Sequence, residues 1–240
     1  MLYLQIITSN SMKHFLSILA CSAIAGLALT GCDNATDAPA IDAWKSPDAG
    51  TLLVFRETLT MEREGQFTTN TSSPAYEFIS TEQQIFGENN VSTVIDPNGD
   101  TMYVSLRENG DFAIGGKTSS GVTWDVFPTG SKGTVTVHDY DSVTNGTDHE
   151  ISKKTRTYLG EEEIQIADKY IYTIKILQNE TQRLVSAGVW DFLTVATDTI
   201  YFAPDFGFYV RQRGHVTNSE FDQLKSTHTT SLDLQAYIKQ

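Results

Sequence analysis

From residue 51 to the end of the chain, apolar side chains recur at every second position, the period of a strand with one face buried. Leu53, Phe55, Leu59 and Met61 share one face of a first strand, followed by a Gly-containing turn over residues 62–66. Tyr76, Phe78 and Ser80 form a weaker second strand ending near residues 87–90. Residues 91–95 and 101–106 flank Asp96-Pro97-Asn98-Gly99-Asp100 as the clearest hairpin. A short strand at 112–114 precedes a loop at 115–121, and strands at 124–127 and 133–140 surround Pro128-Thr129-Gly130. After a turn at Asn145-Gly146, the segments 151–159, 163–166, 170–177, 185–192 and 199–202 are each rich in β-branched or aromatic residues. One helix is expected, over residues 219–225, with Ser219 as its cap and Phe221 and Leu224 on one face. Leu232, Leu234, Ala236 and Ile238 alternate in a last strand. The pattern predicts an all-β fold with at most one short helix, its antiparallel sheet curled into a half-barrel or barrel. Residues 51–240 suffice for a single domain with one core.

The first fifty residues have a different character. Met12-Lys13-His14 precedes an apolar run over 15–29, the order of a signal peptide, and Met12 reads better than Met1 as the start. Residues 15–30 would make a helix of roughly 24 Å, short of the ~30 Å hydrocarbon core. Leu29-Thr30-Gly31-Cys32 resembles the lipobox of bacterial lipoproteins. The resemblance implies that residues 1–31 are a signal peptide cut between Gly31 and Cys32, and that Cys32 is lipidated and becomes the N-terminus. Cys21 leaves with the signal, so no disulfide, thiolate cluster or nucleophilic Cys remains. Residues 32–50 are small, acidic and Pro-containing, as in a flexible tether spanning roughly 23 Å. Asp33 resembles the signal that retains enterobacterial lipoproteins in the inner membrane, facing the periplasm; the outer membrane stays open.

The formal charge of −13 becomes one unit more negative when Lys13 is removed. Such a domain is repelled by phosphate backbones and anionic headgroups, so no nucleic acid partner is expected and the lipid on Cys32 must hold the membrane.

Motifs that could carry chemistry are incomplete. Asp96, Asn98 and Asp100 open like a calcium loop, but Thr101 and Arg107 stand where Gly and Glu are required. Gly116-Lys117-Thr118 lacks the upstream glycine of a phosphate loop, where Asp111 stands instead, and reads as a surface turn. His149-Glu150 lacks the second His of a zinc protease, Lys153 taking its place. Alternation sends His138 to the face opposite Asp139 and Asp141. Glu161-Glu162-Glu163 reads as a solvated strand edge, and no Gly-x-Ser-x-Gly elbow occurs. No cofactor, metal site or catalytic set is expected, and no ligand site can be assigned.

From residue 124 onward the landmarks form a series. Phe127-Pro128 with Gly133 opens a strand, Gly160-Glu161 leads into the strand at 170–176, and Tyr201-Phe202-Ala203-Pro204 is followed by Gly207. Arg211 and Arg213 then precede the closing Leu234-Gln235-Ala236-Tyr237. This series resembles bacterial periplasmic lipoproteins and secreted domains of unknown function, whose half-barrel is distantly like that of the Lol-type lipoprotein carriers. Turn chemistry alone makes Pro204 to Gly207 a corner between two strands. The expectation is an envelope lipoprotein acting as a non-enzymatic binding or accessory module. The alternative is a carrier that encloses a lipid or other apolar ligand in its concave face. An unfilled cavity lined by Phe, Tyr and Leu would mark the carrier, and filled positions the binding module.

Overall fold

The structure is a computed structural model and describes residues 47–118, 121–129, 133, 135–144, 148–166, 169–186 and 190–239. The strands are β1 (Thr51–Arg63), β2 (Gln66–Ser72), β3 (Ala75–Ile85), β4 (Glu88–Ile95), β5 (Thr101–Leu106), β6 (Phe112–Thr118) and β7 (Gly121–Phe127). They continue as β8 (Val135–Thr144), β9 (Asp148–Ile166), β10 (Lys169–Ser186), β11 (Trp190–Ala203), β12 (Phe208–Glu220) and β13 (Gln223–Lys239). All thirteen form one antiparallel sheet in the order β7-β6-β5-β4-β3-β1-β13-β12-β11-β10-β9-β8, with β2 also on β1. Among the described residues no helix is long and apolar enough to cross a membrane.

β1 organises the sheet because it joins the first strand to the last. β13 pairs along its whole length, from Thr51 opposite Lys239 to Arg63 opposite Ser226. Its other side is shared: β2 takes residues 57–63 and β3 takes only Leu52, Leu53 and Val54. Pro74 marks the changeover, since it has no N–H for a ladder; its carbonyl accepts from the Phe55 N–H at 2.8 Å. The short strands β3–β7 therefore wrap the end of the sheet where residues 47–50 enter, the tether end. The long strands β8–β13, with β1 and β2, run on to a far end that carries the hairpin tips Glu64-Gly65 and Phe221-Asp222.

The core lies at the tether end. Phe112 of β6 and Phe202 of β11 have six strands between them in the sheet order, yet their rings stack at 3.9 Å between centroids. The sheet must therefore curl until its inner faces meet. Phe55, Tyr76, Phe78, Phe208 and Tyr209 form a second ring cluster beside them, with centroid separations of 4.3–6.3 Å. β7 and β8 end the order without pairing to each other. Side chains span that seam: Arg156 of β9 bonds Asp125 of β7 at 3.0 Å and lies 4.2 Å over the Phe127 ring.

The all-β half-barrel expected from the alternation is the observed fold, and the Asp96–Asp100 hairpin and the corner after Ala203 are where the turn residues place them. The corner is a single 3-10 turn, Pro204–Phe206, ended by Gly207 at φ 60°. The expected helix at 219–225 is instead the β12–β13 hairpin, with Phe221 and Asp222 both at positive φ. Two positive-φ residues make the tight turn whose twist suits strands. The cross-strand ladder, helped by Phe221 N–H to Asp191 O at 2.9 Å, overrides a local preference worth only tenths of a kcal/mol per residue.

The other differences concern boundaries. Gly115, Gly116 and Lys117 are not a turn but part of β6, and Gly115 faces Trp124 and Val122 so closely that a side chain would collide. The segments 151–159 and 163–166 are one strand, β9, with its irregularity at Gly160. Residues 185–192 straddle the end of β10 and the start of β11 rather than forming one strand. β2 has no apolar face, and so no period to announce it. Asn145-Gly146 lies outside the described residues.

Candidate functional site

Reading the inner face of the long strands row by row shows where its chemistry changes. Nearest the core, the register aligns Tyr158, Ile176, Ile200, Gln212, Leu232 and Glu57 across β9, β10, β11, β12, β13 and β1. The next row is Arg156, Gln178, Asp198, Gly214, Thr230 and Leu59, and the row beyond it Lys154, Glu180, Ala196, Val216, His228 and Met61. A further row holds Ser152, Gln182, Thr194, Asn218, Ser226 and Arg63. The alternation continues through these rows, but on β9, β10, β11 and β13 the inner side chains pass within two residues from Tyr158, Ile176, Ile200 and Leu232 to Arg156, Gln178, Asp198 and Thr230, while β1 keeps Leu59 and Met61.

The first polar row is tightly paired. Arg156, 1% exposed, donates from Nε to Gln178 Oε1 at 2.7 Å and from Nη1 to the Val126 carbonyl at 3.4 Å. Asp198, 5% exposed, accepts from Gln212 Nε2 at 3.0 Å. Gly214 opposite is what admits this carboxylate, since a Cβ there would stand 2.5 Å from Asp198 Oδ1. Burial pushes the Asp198 carboxyl up to about 6, against the Gln212 bond; the charge of Glu180 adds to the rise and Lys154 opposes it. Glu180 Oε2 is buried without a hydrogen bond and is compensated by Lys154 Nζ at 3.4 Å. A buried acid with a strongly raised pKa beside a second carboxylate is a functional-site signature, though ion-pair networks share it.

Toward the far end the inner face opens into a groove of about 380 Å³ lined by Met61, Arg63, Phe192, Asn218, Glu220, Lys225, Ser226 and His228. Three of its polar side chains form, with Thr194, one hydrogen-bonded line. Thr194 Oγ1 donates to Asn218 Oδ1 at 3.0 Å, Asn218 Nδ2 donates to Ser226 Oγ at 3.1 Å, and Ser226 Oγ meets His228 Nε2 at 3.2 Å. Burial lowers the His228 pKa below its ordinary value, so the ring is neutral at pH 7. Ser226 and His228 are thus a nucleophile–base contact that sequence reading missed. The neighbouring backbone N–H groups lie in paired strands, the reverse of the free donors an oxyanion needs.

The residues singled out in the sequence lie elsewhere. Gly31, Cys32 and Asp33 are outside the described residues, as are the side chains of His138, Asp139 and Asp141. Asp96 Oδ1 is turned onto its own loop, accepting the N–H groups of Asn98 at 2.8 Å and Asp100 at 2.9 Å. His149 is exposed while Glu150 is buried on the inner face, where Gln182 donates to it at 2.7 Å. Glu161, Glu162 and Glu163 are exposed beyond the reach of β8; Glu162 pairs with Lys175 at 2.9 Å. Arg211 and Arg213 share Asp233 on the outer face; burial pushes that carboxyl up, but the two guanidinium groups hold it below the ordinary carboxylate value.

Among solved structures, the chain is similar to the hypothetical lipoprotein YmcC from Escherichia coli, at 10% identity over 75% of this chain and 87% of that one, with a TM-score of 0.30. It is similar also to an exported protein with a YmcC-like fold from Bacteroides fragilis, at 11% identity over 82% and 99% of the two chains, with a TM-score of 0.37. A DUF1329 family protein from Desulfovibrio piger shares 10% identity over 78% and 86%, with a TM-score of 0.20. No family model and no curated protein matches the chain.

Proposed function

We propose that this chain is a lipid-anchored lipoprotein of the bacterial envelope whose β-domain is a non-enzymatic binding module. The observation that carries the reading is the opposition of two ends. Residues 47–50 enter at the end packed with aromatic rings, whereas the polar groove lies at the other end of the same strands. An acidic tether over residues 32–50 would let the domain stand off the membrane with the groove outward. The filled inner face at the tether end favours this reading over an apolar-ligand carrier, because Phe112, Phe202, Phe55 and Phe208 occupy the space such a ligand would need.

Full-length protein and a Cys32→Ala variant, expressed in a bacterial host, test the anchor. Membrane fractionation with mass analysis of the mature N-terminus is expected to show acylated Cys32 in the parent and loss of membrane attachment in the variant. Equal attachment of both proteins, with an unmodified chain, would overturn the anchor. Separating inner from outer membranes then tests the role of Asp33.

A further inference from the structure

We propose that the far-end groove is a saccharide site, with Asn218, Ser226 and His228 binding sugar hydroxyls and Phe192 and Met61 supporting the C–H face of the ring. The inference deepens the reading of the domain as a binding module and rests on it.

The chemistry of the lining decides among ligand classes. Asn218, Ser226 and His228 sit on adjacent positions of two rigid, paired strands and are already oriented by one another through bonds of 3.0–3.2 Å reaching back to Thr194. Each keeps unused capacity: a second Nδ2 hydrogen and Oδ1 lone pair on Asn218, a lone pair on Ser226, and Nδ1 on His228. A line of paired donors and acceptors beside an aromatic and a thioether side chain matches a ligand with both hydroxyls and an apolar face. A purely apolar ligand would bury their remaining donors and acceptors without partners, at a cost. A phosphate-rich polymer would meet a chain of formal charge −13. An extended peptide binds by adding to a free sheet edge, whereas this groove lies on the face of strands paired on both sides. Arg63, which has no carboxylate partner among the described residues, stands on the lining, so a sugar carrying a carboxylate gains an additional contact. Glu220 and Lys225 offset each other across 3.6 Å.

The test uses full-length lipidated protein purified in detergent and an array of defined neutral and uronic-acid oligosaccharides, followed by calorimetry on the best of them. Binding is expected, with the uronic-acid series preferred. Asn218→Ala and Ser226→Ala should each weaken it by about tenfold or more, while Thr229→Ala, on the exposed outer face of β13, leaves it unchanged. Thermal melts check that each variant folds. If Asn218→Ala does not, Phe192→Leu, which keeps an apolar side chain but removes the ring, reads the same groove. No binding across the array by folded parent protein, or binding indifferent to all the groove substitutions, overturns the proposal. Cleavage of the bound oligosaccharide would sink the non-enzymatic reading but leave the saccharide site standing. Binding retained in Cys32→Ala separates the groove from the anchor.

Discussion

The tether end and the far end are built by the same strands, β1 and β9 to β13, with the same alternation, yet one is a dry aromatic core and the other a polar wall. On β11 the inner residues run Phe202 beyond a register shift, then Ile200, Asp198, Ala196, Thr194 and Phe192. At the tether end β3–β7 curl over this face and rings fill the space. At the far end β2 stands beside β1, and its residues are polar except for Phe67, which is exposed. Backbone pairing continues the sheet regardless, but only side chains with something opposite them can form a core. An inner face left polar is held by cross-strand ion pairs and hydrogen bonds, which contribute less than ring packing and leave room for a ligand.

That contrast can be broken from either side. The largest effect belongs to the dry end, where Phe202→Ala should cost about 4 kcal/mol by removing the ring stacked on Phe112, measured as a lower midpoint in urea unfolding. At the seam, Arg156→Ala should cost about 3 kcal/mol, because Gln178 and Asp125 lose their partner and the Phe127 ring its cover. Hydrogen exchange should then accelerate in β7 before the rest of the sheet.

In the polar wall the sign reverses. Asp198 has a folded-state pKa raised from 3.8 to about 6, so folding favours its protonated form. The folded state keeps that advantage below pH 3.8 and loses it as pH rises toward 6, a loss of about 3 kcal/mol by pH 7.5. Asp198→Asn should therefore stabilise the protein by about 2–3 kcal/mol at pH 7.5 and by little near pH 4. Unfolding curves at the two pH values with equal gains would sink this account. Gly214→Ala should cost about 1–2 kcal/mol alone but almost nothing in an Asp198→Ala background, a coupling that a double-mutant cycle measures. The smallest expected effect is at the far tip. Replacing Phe221-Asp222 with Asn-Gly should stabilise by about 1 kcal/mol, since both positions require positive φ. An unchanged melting temperature would show that the turn is not strained.

The strand alternation and the turn residues made the fold class legible, down to the hairpin at Asp96–Asp100 and the corner at Pro204. What stayed hidden lacked a local signal. β2 has only Phe67 among polar residues, and Phe221-Asp222 has neither Gly nor Asn to announce a tight turn. The candidate site was hidden for a different reason. Asp198, Glu180, Asn218 and His228 share the inner face with apolar residues such as Ile176, Ile200 and Leu232 and with polar ones such as Gln178, Thr194 and Thr230, so the period of two gave their face but no sign of a site. Which of these residues meet depends on register.

By itself, then, the sequence determined that the chain past residue 50 is β-rich and which side chains share a face, because a period of two is a property of each strand alone. It also carries the lipobox-like stretch ending at Cys32, a chemical signal read without any fold. Only the tertiary structure decided that β1 pairs with β13, that rings with six strands between them close the tether end, and that Thr194, Asn218, Ser226 and His228 line up at the other. The first two join residues distant in the chain through the curl of the whole sheet, and the last is set by cross-strand register, neither of which the pattern of a single strand encodes.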